Sequence, residues 1–110
     1  MIVSKKDTIF VKHYEMILNF SCKDTEKVWN GERTRTRKWS DVVVKMILRK
    51  LFMLHAAHRL IDLRAPPSNR LHPLRKDLEG YYSISVNMQW RIIFMWADGK
   101  ATNVSVKDYH

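Results

Sequence analysis

Asp98-Gly99 lies between two runs, Trp90–Trp96 and Ala101–Val106, both rich in aromatic and β-branched side chains. A two-residue Asp-Gly loop accepts the positive φ angles that a tight hairpin requires, so the two runs fold back as antiparallel strands. Tyr81–Val86 is a third run of the same character, joined to the second through Asn87-Met88-Gln89. The C-terminal part of the chain is therefore committed to an antiparallel meander.

Hairpin register turns this pattern into geometry. With Asp98-Gly99 as the loop, Ala97 faces Lys100, and the same register carried along the strands sets Arg91 opposite Val106. Asp108 then falls on the Arg91 face, within diagonal reach of its long side chain. Pairing Val86 with Trp90 sets Arg91 opposite Ser85. Ile84, Val86, Trp90, Ile92, Phe94 and Trp96 form the face expected to carry the core. Ser83, Ser85, Arg91, Ile93, Met95, Thr102, Val104 and Asp108 form the more polar face.

The first half reads differently. Met16–Phe20 has the look of a short strand, and Lys23–Glu32 of a short helix ended by Asn30-Gly31. A basic loop, Arg33–Trp39, follows. Ser40 is a good N-cap for a long helix, because its hydroxyl can accept an otherwise unpaired backbone N–H. Val43, Met46, Ile47, Lys50, Leu51, Leu54 and Ala57 keep the spacing of one buried helical stripe. Pro66-Pro67-Ser68-Asn69 stops the helical pattern and leads into the sheet. The expected fold class is α+β: short strand, two helices, antiparallel meander, with the helices on one face of the sheet.

At 110 residues the chain forms one domain. No apolar run approaches the ~20 residues needed to span a bilayer, and no signal-peptide pattern opens the chain, so no membrane is expected and the expected location is the cytoplasm. The single Cys22 cannot form an internal disulfide, in keeping with a reducing compartment. Net charge is +9, and Arg33–Lys50 holds seven basic residues against one acid, Asp41. Such a surplus suits a phosphate backbone, or a solvated face that meets an acidic protein.

The chemistry-bearing residues cluster late in the sequence. Asp108-Tyr109-His110 puts an acid, a phenol and an imidazole at the chain end, directly after a strand. Arg70, His72, Arg75 and Lys76 supply a second imidazole and further cations. Cutting RNA through its own 2′-hydroxyl needs a base, an acid and donors for a pentavalent phosphate, all near one phosphate. This set contains each type without a metal. His55 and His58 share a helix turn, but no third ligand accompanies them. Trp29 and Trp39 can stack on bases or fill core.

Asn69-Arg70-Leu71-His72-Pro73-Leu74, Asp77, Glu79-Gly80-Tyr81-Tyr82-Ser83-Ile84, Trp90-Arg91-Ile92 and Asp108-Tyr109-His110 resemble the HigB (plasmid maintenance killer protein) branch of the RelE/ParE toxin superfamily. Phe20–Glu32 and Leu60–Asn69 fit as well, and the resemblance covers about residues 16–110. It implies a bacterial toxin of a type II toxin–antitoxin system, with a fold like that of microbial ribonucleases. The implied activity is that of an mRNA interferase cutting mRNA in the ribosomal A site and halting translation, with no cofactor and no metal.

Its implied partners are the ribosome and a helix-turn-helix, HigA-like antitoxin, through which alone it meets operator DNA. The family's functional residues fall on His72, Arg91, Asp108, Tyr109 and His110, with Arg70, Arg75 and Lys76 as RNA- or phosphate-binding cations. His72 and His110 are the expected proton-transfer pair and Arg91 the phosphorane stabiliser.

Two departures stand out. Some relatives carry Lys-Gly where this chain has Arg75-Lys76. Residues 1–15 read as an N-terminal extension ahead of a toxin domain at 16–110, poorly tied down or preceding a native start at Met16. The rival readings are a ParE-like non-nuclease acting on DNA gyrase and a catalytically inactive relative that only binds antitoxin or RNA. The terminal Tyr109-His110 speaks against the first, and the intact set of site residues against the second.

Overall fold

The computed structural model describes residues 17–32 and 38–108. The expectations for residues 1–15, the arginines at 33–37 and the terminal Tyr109-His110 lie outside the described residues. Helix α1 spans Lys23–Trp29 and α2 spans Asp41–Ala56. Three short 3₁₀ turns follow at Leu60–Arg64, Pro67–Asn69 and Lys76–Leu78. The strands are β1 (His72–Pro73), β2 (Tyr81–Ser85), β3 (Trp90–Ala97) and β4 (Lys100–Asp108). They form one antiparallel sheet in the order β1-β2-β3-β4. The α+β meander expected from the sequence is the observed fold.

Local chemistry explains most boundaries. Ser40 Oγ accepts the Val43 N–H at 3.2 Å and starts α2. α1 ends three residues earlier than the sequence pattern suggests. There Gly31, at φ 77°, lets its own N–H reach Val28 O and the Glu32 N–H reach Lys27 O, closing the helix with two bonds. Asp98 and Gly99 take φ 55° and 75°, as the tight β3–β4 hairpin demands.

The core lies between α2 and one face of the sheet. Ile47, Leu51 and Leu54 of the predicted helical stripe meet Ile84, Ile92, Phe94, Val104 and Val106, all but Val106 fully buried. α1 is tied to the sheet by Thr25, whose hydroxyl accepts the Val106 N–H at 3.0 Å. Trp39 is buried edge-on against Trp90, and Trp29 packs beside Phe52 and His55, so both tryptophans serve packing.

Three features depart from or add to the expected pattern. Ile17 and Phe20 make isolated parallel bridges to Ala101 and Val104 of β4 rather than a continuous strand. The Leu71–Leu74 segment contributes an edge strand, β1, where Pro73 is tolerated because an edge position needs no N–H on its outer side.

The third is a correction to the hairpin register, which slips by one residue between Ile93 and Met95. The extra residue lies on β4, where Asn103 adopts φ 53°. Asn19 Oδ1 accepts the Asn103 N–H at 2.6 Å, Ser21 Oγ donates to the Asn103 carbonyl, and the Asn103 amide donates to Tyr81 Oη, so this bulge is held from three sides. Beyond the bulge Arg91 faces Lys107 rather than Val106, and Trp90 faces Asp108. Val104 consequently belongs to the core and not to the polar face.

Candidate active site

The polar face of the sheet gathers a small, connected group. His72 pairs with Ser83 across β1–β2, and Ser85 pairs with Arg91 across β2–β3, so the side chains of His72, Ser83, Ser85 and Arg91 share one face. Arg91 is only 7% exposed and Ser83 is fully buried. Arg91 Nε donates to Ser83 Oγ in a short hydrogen bond. That bond fixes the plane of the guanidinium and leaves its terminal nitrogens directed towards β1.

Arg70 organises the other side. It caps the Pro67–Asn69 turn in the left-handed region, φ 50° and ψ 48°, a conformation that costs a non-glycine residue roughly 1–2 kcal/mol. Its carbonyl lies 2.9 Å from His72 Nδ1 and accepts from Arg91 Nη2 at 3.4 Å. A carbonyl can only accept, so the shorter contact requires the proton on Nδ1. The 3.3 Å approach of Arg91 Nη2 to Nδ1 is then a contact between two donors sharing one acceptor. With Nδ1 so engaged, Nε2 is the imidazole nitrogen available for proton exchange.

Behind Arg70 stands a buried polar brace. Asn69 is 0% exposed, and its amide nitrogen donates to Leu63 O at 3.1 Å and Ala65 O at 3.4 Å. Its Oδ1 accepts from Lys50 Nζ at 2.6 Å. Lys50 is 9% exposed, although it sits in the apolar stripe of α2. Burial, with help from the neighbouring Arg49, pulls its ammonium below the usual lysine range. A cavity of about 380 Å³ opens beside this brace, with Lys50, Arg70 and Arg91 in its wall.

The expected site residues thus divide. His72 and Arg91 are brought together. Arg70 joins them through its backbone, while its side chain is exposed. Arg75 and Lys76 are exposed on the turn leading into Tyr81, at the far end of β2 from Ser85.

Asp108 sits opposite Trp90 and accepts from Gln89 Nε2 at 3.2 Å, so the one-residue slip removes it from the diagonal position beside Arg91. Lys107 takes the place opposite Arg91 and adds a cation to that face.

Ser83, Lys50, Asn69 and Lys107 were not singled out from sequence. Ser83 showed only as a residue on the Arg91 face, and Lys50 only as a lysine on an apolar helical stripe. Among the described residues, no three His, Cys, Asp or Glu side chains are grouped to hold a metal, and no helix is long and apolar enough to cross a membrane.

Comparison with known proteins gives this geometry a context. Residues 18–110 match the family model described as the RelE-like toxin of the type II toxin–antitoxin system HigB. Toxin HigB-1 of Vibrio cholerae is 41% identical over 88 residues, which cover 80% of this chain and 92% of that protein. Endoribonuclease HigB of Proteus vulgaris is 49% identical over a shorter stretch of 41 residues, covering 37% of this chain and 45% of that one.

Among solved structures, YafQ of E. coli superposes with a TM-score of 0.51 at 19% identity, covering 86% of this chain and 93% of that one. The YoeB dimer of Staphylococcus aureus superposes with a TM-score of 0.50, also at 19% identity, with coverages of 88% and 98%. At that identity the likeness speaks for the fold. By family match and by sequence, the chain belongs to the HigB-like toxins, the RelE-like toxins of type II toxin–antitoxin systems.

Proposed function

We propose that this toxin is an endoribonuclease that cleaves mRNA on the ribosome by attack of a ribose 2′-hydroxyl on the adjacent phosphate. The observation that carries this reading is the convergence of His72 and Arg91 on the Arg70 carbonyl, on a face lined with cations. Arg91 donates to the non-bridging oxygens as the phosphorane forms, held in place by Ser83. Because those donors are fixed before reaction, little reorganisation is needed when charge builds on phosphorus.

His72 exchanges a proton through Nε2, either taking it from the 2′-hydroxyl or giving one to the departing 5′-oxygen. His110 fills the complementary role, and Tyr109 stacks on a base or hydrogen-bonds near the scissile phosphate. Asp108, away from the Arg91 position, orients a neighbour. The P–O5′ bond breaks as the 2′-O–P bond forms, giving a 2′,3′-cyclic phosphate and a free 5′-hydroxyl. Arg75 and Lys76 hold the backbone further along the strand.

The antitoxin that a type II toxin implies is, in this reading, a helix-turn-helix protein encoded beside it, and the toxin acts in the cytoplasm. The test is primer extension on a translated mRNA during induction. Wild-type toxin should give discrete cleavage bands, and a folded His72→Ala, His110→Ala double variant should give none. Unchanged bands from that variant would remove the assignment.

A further inference from the structure

We propose that the cavity bounded by Lys50, Arg70 and Arg91 is a second phosphate subsite, which takes the backbone phosphate of a nucleotide flanking the cleaved linkage. The inference rests on the RNA-cleaving reading for its ligand class.

Lys50 marks the cavity as a place for an anion. Among the described residues it donates to the neutral Asn69 Oδ1 at 2.6 Å, and no carboxylate there lies within ion-pair distance of it. An ammonium has three N–H donors, so two remain after Asn69 is served. Burying a cation without an anion is costly, and a neutral acceptor offsets only part of that cost. If Asn69 alone needed a donor, a backbone N–H would supply it without charge. The charge becomes useful when an anion enters the cavity.

The cavity fits such a ligand. At about 380 Å³ it is within the usual size range of small-ligand sites and has room for one nucleotide. Among the described residues its wall holds three cations and no acid, with Ser68 at the wall, and Val86 and Met88 supply an apolar side. Met88 is 92% exposed, so an adaptable thioether is open to contact with a base. Arg91 belongs to both sites. A phosphate at Lys50 and the reacting phosphate at Arg91 would then be successive units of one strand.

The test uses the full-length toxin and short RNA oligonucleotides with a 2′-O-methyl group at the cleaved position, so that attack is blocked. In two further probes the scissile linkage is kept as phosphate and the next linkage on its 5′ or its 3′ side is a neutral methylphosphonate. The wild type should bind one of these about tenfold more weakly than the all-phosphate probe, the loss expected for one charge-assisted hydrogen bond. Lys50→Met, and Ser68→Glu at the exposed wall, should both bind the all-phosphate probe more weakly and be indifferent to that methylphosphonate.

Ser68→Glu changes an exposed residue, which keeps the test intact if Lys50→Met fails to fold. A wild type indifferent to both neutral linkages would overturn the proposal, as would variants that keep the full tenfold loss. Tight competition by inorganic phosphate alone would overturn the RNA-backbone assignment. Cleavage of translated mRNA is scored separately: its absence with the tenfold effect intact removes the nuclease reading and leaves an RNA-backbone site.

Discussion

His72 and Arg91, nineteen residues apart, share one acceptor: the carbonyl of Arg70 lies 2.9 Å from the imidazole Nδ1 and 3.4 Å from the guanidinium. The arrangement couples orientation of a proton-transfer group to orientation of a charge stabiliser. Both contacts run through one backbone turn, at Arg70.

Replacing His72 with alanine should therefore lower mRNA cleavage by about 10²–10⁴, the usual contribution of a general acid or base. His72 is only partly buried, on the edge strand, so the melting temperature should change little. Single-turnover cleavage with translating ribosomes, beside a thermal melt, checks both halves. A small kinetic effect in a folded variant would count against His72.

Ser83→Ala should separate positioning from chemistry. The hydroxyl accepts from Arg91 Nε, and losing a bond to a charged donor costs about 1.5–3 kcal/mol, or roughly tenfold or more in rate if it is expressed in the transition state. The expected result is lower kcat with little change in KM. Equal kcat would mean that Arg91 holds its place without Ser83.

Asn69→Ala should be a stability variant first. It strips the buried Lys50 of its partner and leaves the Leu63 and Ala65 carbonyls short of one, at about 1–3 kcal/mol for each buried group left unsatisfied. Denaturant unfolding should show a clear fall in midpoint. An unchanged midpoint would contradict the brace.

Lys50 also sets a pH dependence. Its folded pKa is held below the ordinary 10.5 by burial and then by Arg49, so between the folded value and 10.5 the unfolded chain binds more protons. Wild-type stability should rise relative to Lys50→Met as pH climbs towards 10.5, and the disadvantage should be full below the folded pKa. A difference that stays flat across that range would contradict the buried charge.

Much of this fold could be read locally. The Asp98-Gly99 turn, the Ser40 cap and the α2 stripe depend on neighbours a few residues away, and each is where the pattern put it. What escaped was non-local. A strict two-residue alternation cannot reveal a single inserted residue, and the Asn103 bulge is held by Asn19 and Ser21, more than eighty positions earlier. That slip moved Asp108 away from Arg91 and brought Lys107 opposite it. The partnership of His72 with Arg91 was implied only by the family resemblance, because its cause is the left-handed turn at Arg70. Lys50 showed as a lysine on an apolar stripe, but its acceptor comes from a separate turn.

The central claim is metal-free attack by the 2′-hydroxyl, and the ends of the cut RNA report on it most directly. Purified toxin should be incubated with ribosomes translating a defined mRNA, and the termini at the cleavage site identified by mass spectrometry. The account predicts a 2′,3′-cyclic phosphate (or the 3′-phosphate it opens to) on one fragment and a 5′-hydroxyl on the other, lost together in the His72→Ala variant. A 3′-hydroxyl paired with a 5′-phosphate would contradict it.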